Sequence, residues 1–289
     1  MPPPDFGAIM TAWARRQPAV TGLTLIGSRV RPAGDAVWRA DGHSDWDFQV
    51  ITSQPDVFLR RDWALELKGV ELLAYGVRPA RIGGVPKVNA VFAGAEADFV
   101  ILPESALIPL RRAVANGRHR RPGPERAALQ DLALVIRPGW KFLRGARTWA
   151  PMFRRVVADI PDARPVEATL RNLAECFWCD LVWIRRKLER GELLAAQRLL
   201  HQSLAETNLR LLHELRLRRG QRSFPEGRRL EEIAPAAEVN LATVSTKVSV
   251  KGLRAATERA ARNCTALMRA LVGRDWTPPQ LSSTGTARR

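Results

Sequence analysis

The sequence predicts an α+β chain, an N-terminal domain built on a mixed β-sheet followed by an α-helical bundle domain. Three observations point there. Short apolar runs with period-two alternation, divided by Gly- and Pro-rich turns, crowd the first hundred residues. From about Leu107 the apolar residues recur instead at three- and four-residue steps over long stretches. A length of 289 residues, at roughly 100–200 per domain, provides for two cores.

Taken in order, FGAIMTAWARRQ at 6–17 sets Ile9 and Trp13 at helical spacing, and Pro18 with Gly22 ends that helix before the apolar run LTLI at 23–26. The run stops at Gly27-Ser28-Arg29. A loop rich in Gly, Asp and Pro, carrying Asp35, Arg39, Asp41 and His43, leads to SDWDFQVIT at 44–52, which alternates as a strand does. Pro55 opens a helix expected through Lys68. VELLAYGV (70–77), KVNAVFA (87–93) and ADFVIL (97–102) read as three further strands, with turns at Gly83-Gly84 and Gly94. AALQDLALVI at 127–136 and the long segment 171–220 read as helices, the latter with Leu173, Phe177, Leu181 and Ile184 on one face and a break at Gly191. The expected domains are 1–125 and 126–275, with a flexible Pro-, Ser- and Arg-rich tail over 276–289.

Composition excludes several classes. With 46% apolar and 26% charged residues the chain has an ordinary globular composition, which excludes wholesale disorder. No apolar run approaches the ~18 residues of a bilayer span, and MPPPDFGAIM lacks a basic-then-apolar signal, so the expectation is a cytoplasmic protein without a membrane partner. Three cysteines make no disulfide framework, and the Cys176-x-x-Cys179 pair has no second pair to complete a zinc site. The net charge of +17 is unevenly spread: residues 1–104 carry 11 Lys and Arg against 12 Asp and Glu, and residues 105–289 carry 35 against 17. A basic second half leaves RNA open as a partner, although 40 Arg against 6 Lys also fits a GC-rich codon bias. His201 and His213 read as helix-surface residues, Trp178 and Trp183 as core, and Gly83-Gly84 lacks the strand and helix context of a dinucleotide fingerprint.

The chemistry-bearing residues lie in the first half. On a strand, residues two apart share a face, so Asp45 and Asp47 project together while Trp46 turns away to pack. Paired carboxylates repel unless a cation compensates. If Asp98 comes from a neighbouring strand, three carboxylates meet and suit a hard divalent ion such as Mg²⁺. Gly27 permits close backbone approach, the Ser28 hydroxyl and adjacent N–H groups can hold a phosphate, and Arg29 can neutralise it. Lys141, in Gly139-Trp140-Lys141-Phe142-Leu143, is a further candidate to reach a phosphate; the plainer alternative is a solvated lysine beside a packed tryptophan.

Taken together, a strand, Gly27-Ser28, a loop, the strand Asp45-Trp46-Asp47-Phe48 and a later strand Ala97-Asp98-Phe99-Val100 resemble the nucleotidyltransferase superfamily of DNA polymerase β and the antibiotic adenylyltransferases. With Arg29 and Ile101-Leu102-Pro103 added, the order is similar to the aminoglycoside 6-adenylyltransferase (streptomycin adenylyltransferase) family. Phe177-Trp178, Arg190-Gly191-Glu192-Leu193 and Ala196 are similar to that family's helical domain, so the likeness spans roughly residues 5–220. The resemblance implies an enzyme with Asp45 and Asp47 as metal ligands and Asp98 as the third carboxylate, a metal ligand or a general base. Gly27, Ser28 and Arg29 would hold the nucleotide triphosphate. The implied reaction moves AMP from ATP, with two Mg²⁺ ions, to a hydroxyl of a small-molecule acceptor such as an aminoglycoside. The alternatives are transfer to RNA or protein, and a degenerate module that binds nucleotide or RNA without turnover.

Overall fold

In a computed structural model that describes residues 5–31, 40–162 and 164–280, the expected strands join one six-stranded mixed sheet. Strands β1 (Val20–Ile26), β2 (Trp46–Thr52), β3 (Leu72–Pro79), β4 (Pro86–Phe92), β5 (Ala95–Pro103) and β6 (Trp140–Arg144) lie in the order β3-β4-β5-β2-β1-β6. Every neighbouring pair is antiparallel except β2 and β5, which run parallel. Helix α1 (Phe6–Arg16) begins where the Asp5 carboxylate accepts the Ala8 N–H, an N-cap that satisfies one otherwise orphaned donor.

The sheet has two apolar faces because its strands alternate. On one side Leu23, Leu25, Phe48, Val50, Val88, Phe99 and Ile101 pack with Phe6, Met10 and Trp13 of α1. The expected helix over 55–68 is a 3₁₀ turn at Pro55–Leu59 and the four-residue α2 (Asp62–Leu65), which close this side through Phe58 and Trp63. Two short turns let both rings enter one core, where a continuous helix would hold them at fixed spacing. On the other side Ile26, Ile51 and Leu102 pack with α3 (Glu104–Ala115), α4 (Pro124–Ile136) and α5 (Ala146–Asp159) through Leu107, Leu129, Ile136, Trp149 and Phe153.

Strand β6 moves the domain boundary. The chain divides into two compact units at residues 163/164, not at 125/126. The reason is local: WKFLR, between Gly139 and Gly145, pairs antiparallel with β1 and closes the sheet edge, so α4 and α5 belong to the first core. Gly145 has φ +77°, and a Cβ there would sit 2.2 Å from the Thr21 carbonyl oxygen.

The second unit is helical: α6 (Glu167–Glu189), α7 (Leu193–Leu199), α8 (Glu206–Arg218), α9 (Leu230–Ile233), α10 (Ala236–Ala242) and α11 (Val250–Val272). Gly191, at φ +73°, terminates α6 as expected. Phe177, Leu181, Ile184 and Leu188 form the buried stripe of α6, with Trp178 beside it. Trp183, two residues past Leu181, falls off that stripe and is 56% exposed, against the expectation of a core residue. His201 is exposed, and the half-buried His213 meets the Ser223 hydroxyl at 2.8 Å. Trp276 is buried in this core, so the start of the expected tail is anchored; residues 281–289 lie outside the described residues. Among the described residues no helix is long and apolar enough to cross a membrane.

Candidate active site

The one parallel pairing sets the geometry. Because β2 runs beside β5 in register, Asp47 is the Cα partner of Asp98, and antiparallel pairing places Ile26 of β1 on the other side of Asp47. Asp45, just before β2, faces the same way as Asp47, towards the side carrying Ile51. Trp46 turns to the α1 side, where its ring lies 6.1 Å from those of Phe6 and Phe48. One carboxylate oxygen each from Asp45, Asp47 and Asp98 falls within 4.8 Å of the other two, and all three residues are half-buried. Two unit charges at about 4 Å repel by several kcal/mol at a partly buried site, which is the electrostatic demand that a divalent cation meets.

The turn after β1 abuts this cluster. Gly27 adopts φ +74°, and a Cβ built there would lie 2.1 Å from Asp47 Oδ2, so only glycine leaves that carboxylate its place. The following Ser28 Oγ is buried and has no hydrogen-bond partner. An orphaned hydroxyl next to three converging carboxylates is the pattern expected of residues that hold a cation and an anionic ligand together, and the hard oxygen donors fit Mg²⁺.

Arg29 is tied to the start of β2. Its Nε donates to the Asp45 carbonyl oxygen at 2.9 Å, its Nη2 donates to the Ser44 carbonyl, and its guanidinium lies 4.2 Å from the Trp46 ring centroid. This holds the start of β2 on the tryptophan's side. Lys141 is separated from the carboxylates: it is the Cα partner of Leu25, whose side chain packs with the α1-side core, whereas Trp140 and Phe142 share the opposite face with Ile26. Asp41 caps its own loop by accepting the His43 N–H and the Ser44 hydroxyl. Asp35 and Arg39 lie outside the described residues.

No protein-family model matches the chain, and no curated protein does. Solved structures are similar to it, two of them as follows. One is an aminoglycoside 6-adenyltransferase from Bacillus subtilis, 14% identical, with 94% of this chain and 90% of that chain covered and a TM-score of 0.37. The other is a nucleotidyltransferase-like protein from Exiguobacterium sibiricum 255-15, 11% identical, with 91% and 74% covered and a TM-score of 0.34.

Four site residues escaped the sequence reading. Asn89 of β4 is the Cα partner of Asp98, and its side-chain amide donates to Asp98 Oδ1. Lys87, on the same face of β4, sets its ammonium 2.5 Å from Asp98 Oδ2. One step inward from Asp47, the partners Thr24 and Gln49 are fully buried, and Thr24 Oγ1 and Gln49 Oε1 have no hydrogen-bond partner. The signal for the first two was present. A two-residue turn at Ala93-Gly94 makes Phe92 and Ala95 partners, and counting back from that hairpin sets Asn89 opposite Asp98.

Proposed function

We propose that this chain is a Mg²⁺-dependent nucleotidyltransferase that moves AMP from ATP to a hydroxyl of a small-molecule acceptor, aminoglycosides being one candidate class. The observation that carries the reading is the convergence of Asp45, Asp47 and Asp98 beside a Gly-Ser turn whose hydroxyl is buried and unpartnered. Asp45 and Asp47 are the residues that would hold the cation, with Asp98 as the third carboxylate within its reach. Held there, a divalent ion would supply charge neutralisation on the transferring phosphate and would make the acceptor hydroxyl a better nucleophile. The Ser28 hydroxyl and the N–H groups of its turn orient the triphosphate. Each Asp98 oxygen has two lone pairs, and Asn89 and Lys87 engage one on each, so a carboxylate oxygen keeps a lone pair to take the acceptor's proton.

The test is incubation with labelled ATP and Mg²⁺ against a panel of aminoglycosides, against tRNA and with the protein alone. The expected result is labelled small molecule with stoichiometric pyrophosphate, lost in Asp47→Asn. Label on tRNA or on the protein itself would overturn the acceptor class, and no pyrophosphate under any condition would overturn the activity.

A further inference from the structure

Both oxygens of Asp98 are engaged by side chains of the neighbouring strand β4. Asn89 donates to Oδ1, and the Lys87 ammonium sits 2.5 Å from Oδ2. The pair is sheltered, with side-chain exposures of 24% for Lys87 and 18% for Asp98. Lys87 reaches it diagonally: Lys87 pairs with Val100 and Asn89 with Asp98, and alternation puts both on the carboxylate face of β4. The neighbouring ground is polar as well, since Gln49, two residues past Asp47 on the same face and 2% exposed, keeps an unpartnered Oε1.

We propose that Lys87 is a built-in counter-cation for Asp98: it neutralises and orients that carboxylate while the site lacks a divalent ion, and it competes with the ion for Asp98. The inference rests on the carboxylates being a cation site. Three carboxylates within 4.8 Å form a repulsive arrangement, and a tethered ammonium offsets part of that repulsion without closing the site to a divalent ion. Lys87 suits this role because a flexible ammonium is a point charge that can withdraw, whereas a bidentate guanidinium would be harder to displace. Lys87 is thus a positioning residue acting through Asp98.

The experiment compares the full chain with Lys87→Met and Lys87→Arg, reading Mn²⁺ affinity by electron paramagnetic resonance without nucleotide and thermal unfolding with EDTA or Mn²⁺. Lys87→Met should bind Mn²⁺ tighter by about tenfold, as expected when a competing charge leaves a partly buried site. It should melt below wild type in EDTA and regain most of the difference in Mn²⁺. Lys87→Arg should keep or weaken Mn²⁺ binding relative to wild type. Unchanged or weaker Mn²⁺ binding in Lys87→Met would overturn the proposal, as would an equal loss of stability with and without Mn²⁺. If wild type and Asp47→Asn bind Mn²⁺ equally, the cation site itself is wrong, an outcome distinct from failure of the Lys87 role.

Discussion

Gly27 leaves Asp47 a space that any Cβ at position 27 would enter. A left-handed backbone costs a non-glycine residue about 1–2 kcal/mol, and at φ +74° a Cβ would also press on Asp47 Oδ2. Gly27→Ala should therefore lower stability by at least that amount and displace the carboxylate, with loss of transfer and of Mn²⁺ binding; a variant melting near wild type and turning over normally would sink the assignment. Asp98→Asn separates shape from charge. The amide preserves volume but cannot receive a proton, so kcat should drop by about 10²-fold or more while ATP binding is largely kept. Unchanged kcat would remove Asp98 from the reaction. At this scale the sequence was legible where chemistry follows alternation along one strand, as for Asp45 and Asp47. It was less so for Arg29 and Lys141, whose placement depends on contacts distant in sequence: Arg29, in the turn after β1, is drawn to the Trp46 ring and two carbonyls, and Lys141 of β6 follows Leu25 to the α1 side.

Among elements, the strands of the first hundred residues announced themselves, and β6 did not, because five residues between two glycines in an otherwise helical stretch give too short a pattern to outweigh its surroundings. Its partner choice then decides where the first core ends, which no local pattern in residues 105–163 states. The same region holds a buried tie between elements. His119, 0% exposed in the turn after α3, meets Asp159 Oδ2 at 2.8 Å near the end of α5, and Arg120 donates to the same oxygen. The hydrogen bond from His119, followed by that from Arg120, holds the Asp159 carboxyl below its ordinary value of 3.8. A depressed carboxyl contributes stability that is complete above its unfolded value and is lost as pH falls through its folded one. Asp159→Ala should thus cost roughly 1–3 kcal/mol at pH 7, by leaving a buried imidazole nitrogen unpaired, and the gap to wild type should narrow at pH 3. Denaturant unfolding at the two pH values measures it, and a gap of equal size at both would show that the carboxylate's charge contributes nothing.

For the molecule as a whole, the boundary at 163/164 changes the meaning of its charge. Counted by unit, residues 1–163 carry 23 Lys and Arg against 16 Asp and Glu, and residues 164–289 carry 23 against 13. The excess is +7 in the sheet-bearing unit and +10 in the helical one, so it does not belong to the helical unit alone. Several cations of the helical unit are also committed to ion pairs. Lys187 and Arg190 converge on Glu192, whose carboxyl is held below its usual range by Lys187 first, and Arg216 is buried on Glu238. A nucleic-acid surface concentrates cations and interleaves them with stacking aromatics. Here the exposed Arg185 and Arg186 are followed by a lysine paired within its own helix end, and Trp183 is exposed two residues before Arg185. One aromatic beside two arginines is a small footprint for a polyanion. The expectation is that RNA binds weakly, with affinity falling only shallowly between 50 and 200 mM salt, whereas an interface with six to ten phosphate contacts would lose about 10³-fold or more over that range. Tight binding with the steep slope, weakened by Arg185→Ala and Arg186→Ala together, would make the helical unit a nucleic-acid surface and move the acceptor from a small molecule to RNA.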